Sequence, residues 1–242
     1  MPKVPKWAAD AMESLFSGMF RKMTVSGITY LNPCIKKIVF KGDLKNVRFK
    51  TGQAIIIRVD DTNSRNYTPS YWNSDEGICE VIFHLHGNGP GSAYIEKLAV
   101  NDKLNIGLPR GFDLYKKDYR YHFFFGDETT AGFFKSLKQA IGENNQNYIG
   151  VLEFNDATLR SETNLECMLD IVAGSGGHKA EQAILFLENL DESVWQLWKE
   201  GMFYVMGNGR SIQNFRKALK EKGIPGKQII TQPYWVEGKT GL

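Results

Sequence analysis

Cysteine is scarce in this 242-residue chain: Cys34, Cys79 and Cys167 are three in number, widely spaced and without a CxxC pair. That excludes a disulfide framework and a zinc knuckle, and it points to a reducing, cytoplasmic setting. Long apolar runs are missing too. Ala54 to Ile57 and Ala183 to Leu187 are among the longest, far short of the roughly 18 residues that span a bilayer, so no membrane segment is expected. Lys3 and Lys6 precede Trp7 to Phe20, but Asp10 and Glu13 interrupt that stretch. It predicts an amphipathic first helix, not a signal-peptide core. An excess of one charge is lacking as well. Thirty Lys and Arg against 27 Asp and Glu leave +3, too even for a dedicated nucleic-acid binder, so any anion must be met by a local patch. There is no internal repeat.

What is present reads as one large domain or two modest ones, with an ordinary globular share of apolar residues, 42%. Residues 23–110 hold β-rich runs punctuated by Gly, Pro, Asn and Asp: TVSGITYL, IKKIVFK, AIIIRVD, RNYTPSYW, ICEVIFHLH and KLNIGLP. Their spacing predicts an antiparallel barrel. Inside it, GPGSAYIEKLAV predicts one short helix with Ser92 as its cap. From Tyr119 strands and helices alternate: YRYHFFFG, TTAGFFKSLKQAIG, NYIGVLEF, ECMLDIVA, KAEQAILFLENL, MFYVMG and SIQNFRKALKEKG, which ends at Gly223, then QIITQPYW. Such alternation predicts a parallel sheet with crossover helices, whose ligands lie beyond the carboxyl ends of the strands. The expected domains are 1–115 and 116–242, packed to form a cleft.

Two segments carry chemistry. In RNYTPSYW, Arg65 and Tyr67 stand two apart and share a strand face, while Thr68 faces oppositely. A guanidinium there suits phosphate and a ring suits a flat heterocycle; an ordinary strand with a surface Arg and a half-buried Tyr has the same letters. In HLHGNGPGSAYIEKL, the glycines at 87, 89 and 91 lead into a helix start, where Gly91, Ser92 and Ala93 offer free N–H groups to an anion such as a pyrophosphate. A merely tight turn before a helix reads the same way. His84 and His86 are placed on one strand face, but no third metal ligand is near, and no metal site is expected.

In this order and spacing the segments resemble the siderophore-interacting protein family, FAD-binding ferric-siderophore reductases related to ferredoxin-NADP reductases. The likeness is carried by Arg65-x-Tyr67-Thr68, by His86-Gly87 and Gly89-Pro90-Gly91-Ser92, by NDKLNIGLPRG, by Gly126-Asp127-Glu128-Thr129, and by Gly207-Asn208 followed by Tyr234-Trp235 and Gly238. It implies a ferredoxin-NADP reductase-like fold: an FAD-binding barrel followed by a nicotinamide-binding α/β domain. Arg65 would hold the FAD pyrophosphate, Tyr67 would pack on the isoalloxazine, and Thr68 would sit near its N5. His86 and the turn Gly89, Pro90, Gly91, Ser92 and Ala93 would complete the cradle. Gly126 to Thr129 with Gly207 and Asn208 would meet NADPH or NADH, and a reduced ferredoxin is the other donor. Flavin would take a hydride and return single electrons to iron held in its chelator, with no protein iron ligand. Arg110, Lys239 and Trp235 would meet the anionic ferric siderophore. Lys45, Arg48, Lys50 and Arg58 are further basic candidates. The expected protein is monomeric and binds neither nucleic acid nor membrane.

There are departures from the family pattern. Phe133 and Phe134 replace smaller or kinked residues after GDET, and Asn208 stands in place of the usual Glu. No SxxR-like signature for a 2'-phosphate follows VLEFND, where Arg160 is a weak substitute. Glu153 at a strand end could accept from ribose hydroxyls, which leans towards NADH. Gly174 to Lys179 lacks P-loop spacing and reads as a surface connection. Phe123 to Phe125 predict a strand buried on both faces, and the cysteines predict small buried residues. The alternatives are a flavin reductase of the same architecture with a protein or quinone acceptor, and a non-catalytic protein that binds a ferric chelate or flavin.

Overall fold

The computed structural model describes residues 5–7, 11, 15, 17–87, 89–154, 170–173 and 179–238. The chain divides into two compact units, Met1–Leu114 and Tyr115–Thr240.

The first unit holds β1 (Phe20–Asn32), β2 (Ile35–Gly42), β3 (Ala54–Arg58), β4 (Ser64–Tyr67), β5 (Pro69–Asn73), β6 (Ile78–His84), α1 (Pro90–Lys97) and β7 (Lys103–Arg110). The order across the sheet is β4-β3-β7-β1-β2-β6-β5, and every pairing is antiparallel. The edge strands β4 and β5 are separated in sequence only by Thr68. Successive Cα atoms lie about 3.8 Å apart, so the two edges meet at that point and the sheet rolls into a barrel. RNYTPSYW is therefore two strands, not one. The break falls where Pro69, lacking an N–H, opens the second. Strand β3 shows why the wall forms: its β-branched run alternates, with Ile55 and Ile57 fully buried in a core shared with Val25, Ile38, Phe40, Val81, Phe83 and Ile106.

Three local expectations are corrected here. Strand β6 ends at His84, so His86 lies in the following loop and shares no strand face with it. Gly89, not Ser92, takes the N-cap position of α1; Ser92 is already inside the helix, its hydroxyl accepting from Gly87 N at 3.2 Å. Cys79 is buried but Cys34 is only half-buried, because it sits in the turn between β1 and β2. Cys167 lies outside the described residues.

The second unit holds β8 (Tyr121–Asp127), α2 (Ala131–Glu143), β9 (Asn147–Phe154), β10 (Asp170–Ala173), α3 (Glu181–Glu188), α4 (Glu192–Trp198), β11 (Met202–Asn208), α5 (Gly209–Glu221) and β12 (Ile229–Trp235). Its sheet runs β10-β9-β8-β11-β12 with all pairs parallel. A parallel strand covered on both faces must be apolar throughout, and Phe123, Phe124 and Phe125 are all buried. Helix α5 lays Ile212, Phe215 and Leu219 on the core, the spacing of one helical face, and it stops before Gly223. Among the described residues no helix is long and apolar enough to cross a membrane.

Candidate functional site

In the first unit the β3/β4 register sets Tyr67 opposite Ile55 and Arg65 opposite Ile57. Residues opposed across strands share a face, so Arg65 and Tyr67 lie on the side of the buried isoleucines, with exposed Asn66 on the other side. The first turn of α1 closes on them. A Cβ added to Gly91 would stand 2.9 Å from the Tyr67 hydroxyl and 3.2 Å from Arg65 Cγ, so the helix approaches this closely only because residue 91 is glycine. The Tyr67 ring meets Phe83 edge-on, centroids 4.7 Å apart. Burial drives its phenol pKa far above the ordinary value, against the opposing pull of Arg65, and the hydroxyl stays neutral.

Arg65 is half-buried. Its Nη1 donates to the Ser64 carbonyl at 2.9 Å, and among the described residues no carboxylate pairs with it. Facing it, α1 begins with Pro90 after Gly89, and no side chain caps its first N–H groups. A guanidinium with donors to spare beside an uncapped helix start is an anion site. His86 is exposed, its ring 6.1 Å from that of His84; burial and then the His84 charge hold its pKa below the usual value. Thr68 stands at the barrel seam, one residue past Tyr67. Among the described residues no group of three His, Cys, Asp or Glu could hold a metal.

Basic residues surround other parts of this unit. Arg110 is exposed and its Nη2 donates to Asn66 Oδ1 at 3.3 Å, which places it on the face away from Arg65. An open cavity of about 470 Å³ is lined by Lys22, Arg58, Lys103 and, from α1, Tyr94, with the carboxylates of Asp60 and Asp61 beside them. Of Lys22, Arg58, Lys103 and Tyr94 the sequence pattern singled out only Arg58. Lys22 could have been found from strand alternation, since the β1/β7 register sets it opposite Asn105.

In the second unit the segments around Asp127 and Asn208 come together at the carboxyl ends of β8 and β11. Asp127 is buried and fully used: Oδ1 accepts from the Thr129 amide at 3.0 Å and from the Thr129 hydroxyl, and Oδ2 from the Asn208 amide at 2.7 Å and Trp235 Nε1 at 2.9 Å. Gly207 has φ 102°, and a Cβ there would run into the Asp127 carboxylate. The Asn208 side chain caps α5, accepting from the amides of Arg210 at 2.8 Å and Ser211 at 3.1 Å. Glu128 is buried beside Asp127 and Thr129 is partly so. Glu153 differs from the open ribose acceptor expected: it is 3% exposed, its Oε2 accepts from Ala180 N at 3.2 Å, and among the described residues its Oε1 has no hydrogen-bond partner. Lys239, Arg160 and the loop over 174–178 lie outside the described residues.

Residues 22–115 match the family described as oxidoreductase FAD-binding domain. The match falls on the first unit and covers less than half of the chain. No curated protein sequence matches the chain. Among solved structures the chain is similar to the siderophore-interacting protein from Acinetobacter baumannii, at 17% identity over 91% of this chain and 92% of that one, TM-score 0.71. It is similar to SipS, a siderophore-interacting protein from Aeromonas hydrophila, at 16% over 92% and 93%, TM-score 0.73. A ferredoxin reductase in carbazole 1,9a-dioxygenase matches at 16% over 89% and 69%, TM-score 0.74. These likenesses show a common fold, that of siderophore-interacting proteins and ferredoxin reductases. The residues of the first unit fit FAD. The corner at Gly91 that a Cβ would fill, the guanidinium without a carboxylate and the uncapped helix start together suit a dinucleotide diphosphate.

Proposed function

We propose that the protein is an FAD-dependent reductase of anionic ferric chelates of the siderophore class, drawing electrons from NADPH, NADH or a reduced ferredoxin. The observation that carries this reading is the Arg65 guanidinium, free of any carboxylate among the described residues, against the glycine corner that opens α1. Two of the similar folds are named for siderophores.

In this reading Arg65 and the amides from Gly89 to Ala93 grip the diphosphate, with His86 beside them. Tyr67 presents its neutral ring to the flat heterocycle, and Thr68 offers its hydroxyl or N–H at the reactive edge. Bound FAD supplies an acceptor of two electrons as hydride that can return them singly, the match needed between a nicotinamide and ferric iron. Gly126, Asp127, Glu128 and Thr129 with Gly207 and Asn208 form the nicotinamide corner. Within it the Asp127 carboxylate shapes the turn, because its oxygens are already occupied. Arg110 of the first unit is a cation that raises the local concentration of the anionic chelate, whose own oxygens hold the iron; in the second unit Lys239 is a second cation and Trp235 an aromatic surface offered to it.

The test is direct. The purified protein should be yellow or take up FAD, NADH, NADPH or ferredoxin should bleach it anaerobically, and ferric catecholate or hydroxycarboxylate chelates should then restore the colour faster than quinones or acceptor proteins do. A protein that takes up no FAD overturns the whole reading. Faster reoxidation by a quinone or an acceptor protein assigns the same architecture a different acceptor, and tight chelate binding without any reduction assigns it a binding role.

A further inference from the structure

We infer that Lys36 is a positioning residue for the dinucleotide corner, anchoring the far end of the helix whose start grips the diphosphate; the inference rests on the FAD reading above. Lys36 lies on β2 at an inward position in line with Ile38 and Phe40 and is only 1% exposed. A buried ammonium is tolerated only when its donors are satisfied, and here all three find acceptors. Nζ donates to the carbonyls of Ile95 at 2.9 Å, Glu96 at 3.0 Å and Leu98 at 2.9 Å. Ile95 and Glu96 stand in the last turn of α1 and Leu98 is its C-cap; the Ile95 carbonyl also accepts from the Leu98 amide at 3.3 Å, and Lys36 adds donors at an end where the helix runs out of its own amides. A positive charge also suits that end of the helix dipole. The Tyr30 ring lies 5.4 Å from the ammonium and adds a cation–π contact.

Helix α1 needs such an anchor. It has eight residues, too few to be stable on local bonds alone, and of its buried side chains only Ile95 is large. Its start is fitted to Arg65 and Tyr67 with no slack at Gly91. A helix this short pivots as one piece, so freeing its last carbonyls moves its first amides relative to Arg65.

Lys36→Met keeps the length of the side chain and removes the donors; Lys36→Gln keeps at most two. The control is Phe40→Leu, which loosens the same barrel core and removes no hydrogen bond from α1. FAD affinity is measured by fluorescence titration, and hydrogen exchange at the amides of Ala93, Tyr94 and Ile95 is followed without FAD. The expected result is FAD binding weakened about tenfold in Lys36→Met and less in Lys36→Gln. Exchange should quicken at those amides in both, while Phe40→Leu stays within twofold on both measures at a similar loss in Tm. If Lys36→Met does not fold, Lys36→Gln decides by the same measures. A folded Lys36 variant with wild-type FAD affinity and wild-type exchange overturns the inference. If wild-type protein takes up no FAD, the flavin reading falls and the exchange comparison alone decides the anchor.

Discussion

Each unit has a corner where a glycine stands against a charged side chain, and the two corners use the charge in opposite ways. In the barrel, Arg65 is half-buried, donates to its neighbour's carbonyl and meets no carboxylate among the described residues. In the α/β unit, Asp127 is buried with four donors on its two oxygens. A charge with donors left over is available to a ligand; one whose bonds are all made inside the protein fixes the backbone around it. On the proposed reading Arg65 therefore serves binding and Asp127 scaffolding, although both sit in motifs that read alike as sequence.

The comparison breaks most visibly at Asp127. Asp127→Ala strands the amides of Thr129 and Asn208 and the indole N–H of Trp235, and buried donors left unpaired cost about 1–3 kcal/mol each. We expect denaturant unfolding of the second unit to show a loss of about 3–5 kcal/mol with FAD affinity within twofold of wild type. A small stability loss would mean that the carboxylate was never fully employed. Arg65→Ala should do the reverse. FAD binding weakens by about 1.5–3 kcal/mol, the range for a charged hydrogen bond, while unfolding changes by less than about 0.5 kcal/mol. An equal effect on both measures would erase the distinction between the corners.

Much of this frame was legible because local pattern and tertiary demand agree. The β-branched alternation of AIIIR can satisfy only a half-buried wall, and the Phe123–Phe125 run only a strand covered on both faces. The closeness of Arg65, Tyr67 and the glycine corner was half legible. Period two puts the first pair on one side, but the approach of Gly91 depends on a helix from elsewhere in the fold. Lys36 carried no local sign beyond being a cation in line with Ile38 and Phe40, since the carbonyls that accept from it stand at the end of α1. Helix α4 was missed for a related reason: it is short, and Trp195 is its only buried residue. The bonds of Asp127 were not legible, because sequence shows a carboxylate but not which donors have already claimed it.

The finest test of the scaffolding side uses pH. Glu153 lies directly opposite Asp127 in the β8/β9 register, and its pKa is pushed up to about 7, first by burial and then by the Asp127 and Glu128 charges, against the amides of Ala180 and Gln182. Unfolded, the group loses its proton near its usual value of about 4.5. The folded state thus binds more protons between about pH 4.5 and 7, and stability falls as pH rises through that window. His122 has the opposite sign. It is fully buried, bonded through Nε2 to Tyr119 O at 3.0 Å and Gln146 Oε1 at 2.9 Å, and burial lowers its pKa. The unfolded imidazole binds its proton first, so stability rises with pH up to about 6.5 and then levels. Glu153→Gln removes the first slope and leaves the second. Compared with wild type, the variant should gain about 1–3 kcal/mol at pH 8 and nearly nothing at about pH 4, with a stability curve that climbs to about pH 6.5 and stays flat. An equal gain at both pH values would show that Glu153 is charged throughout, held by partners its Oε1 does not have among the described residues.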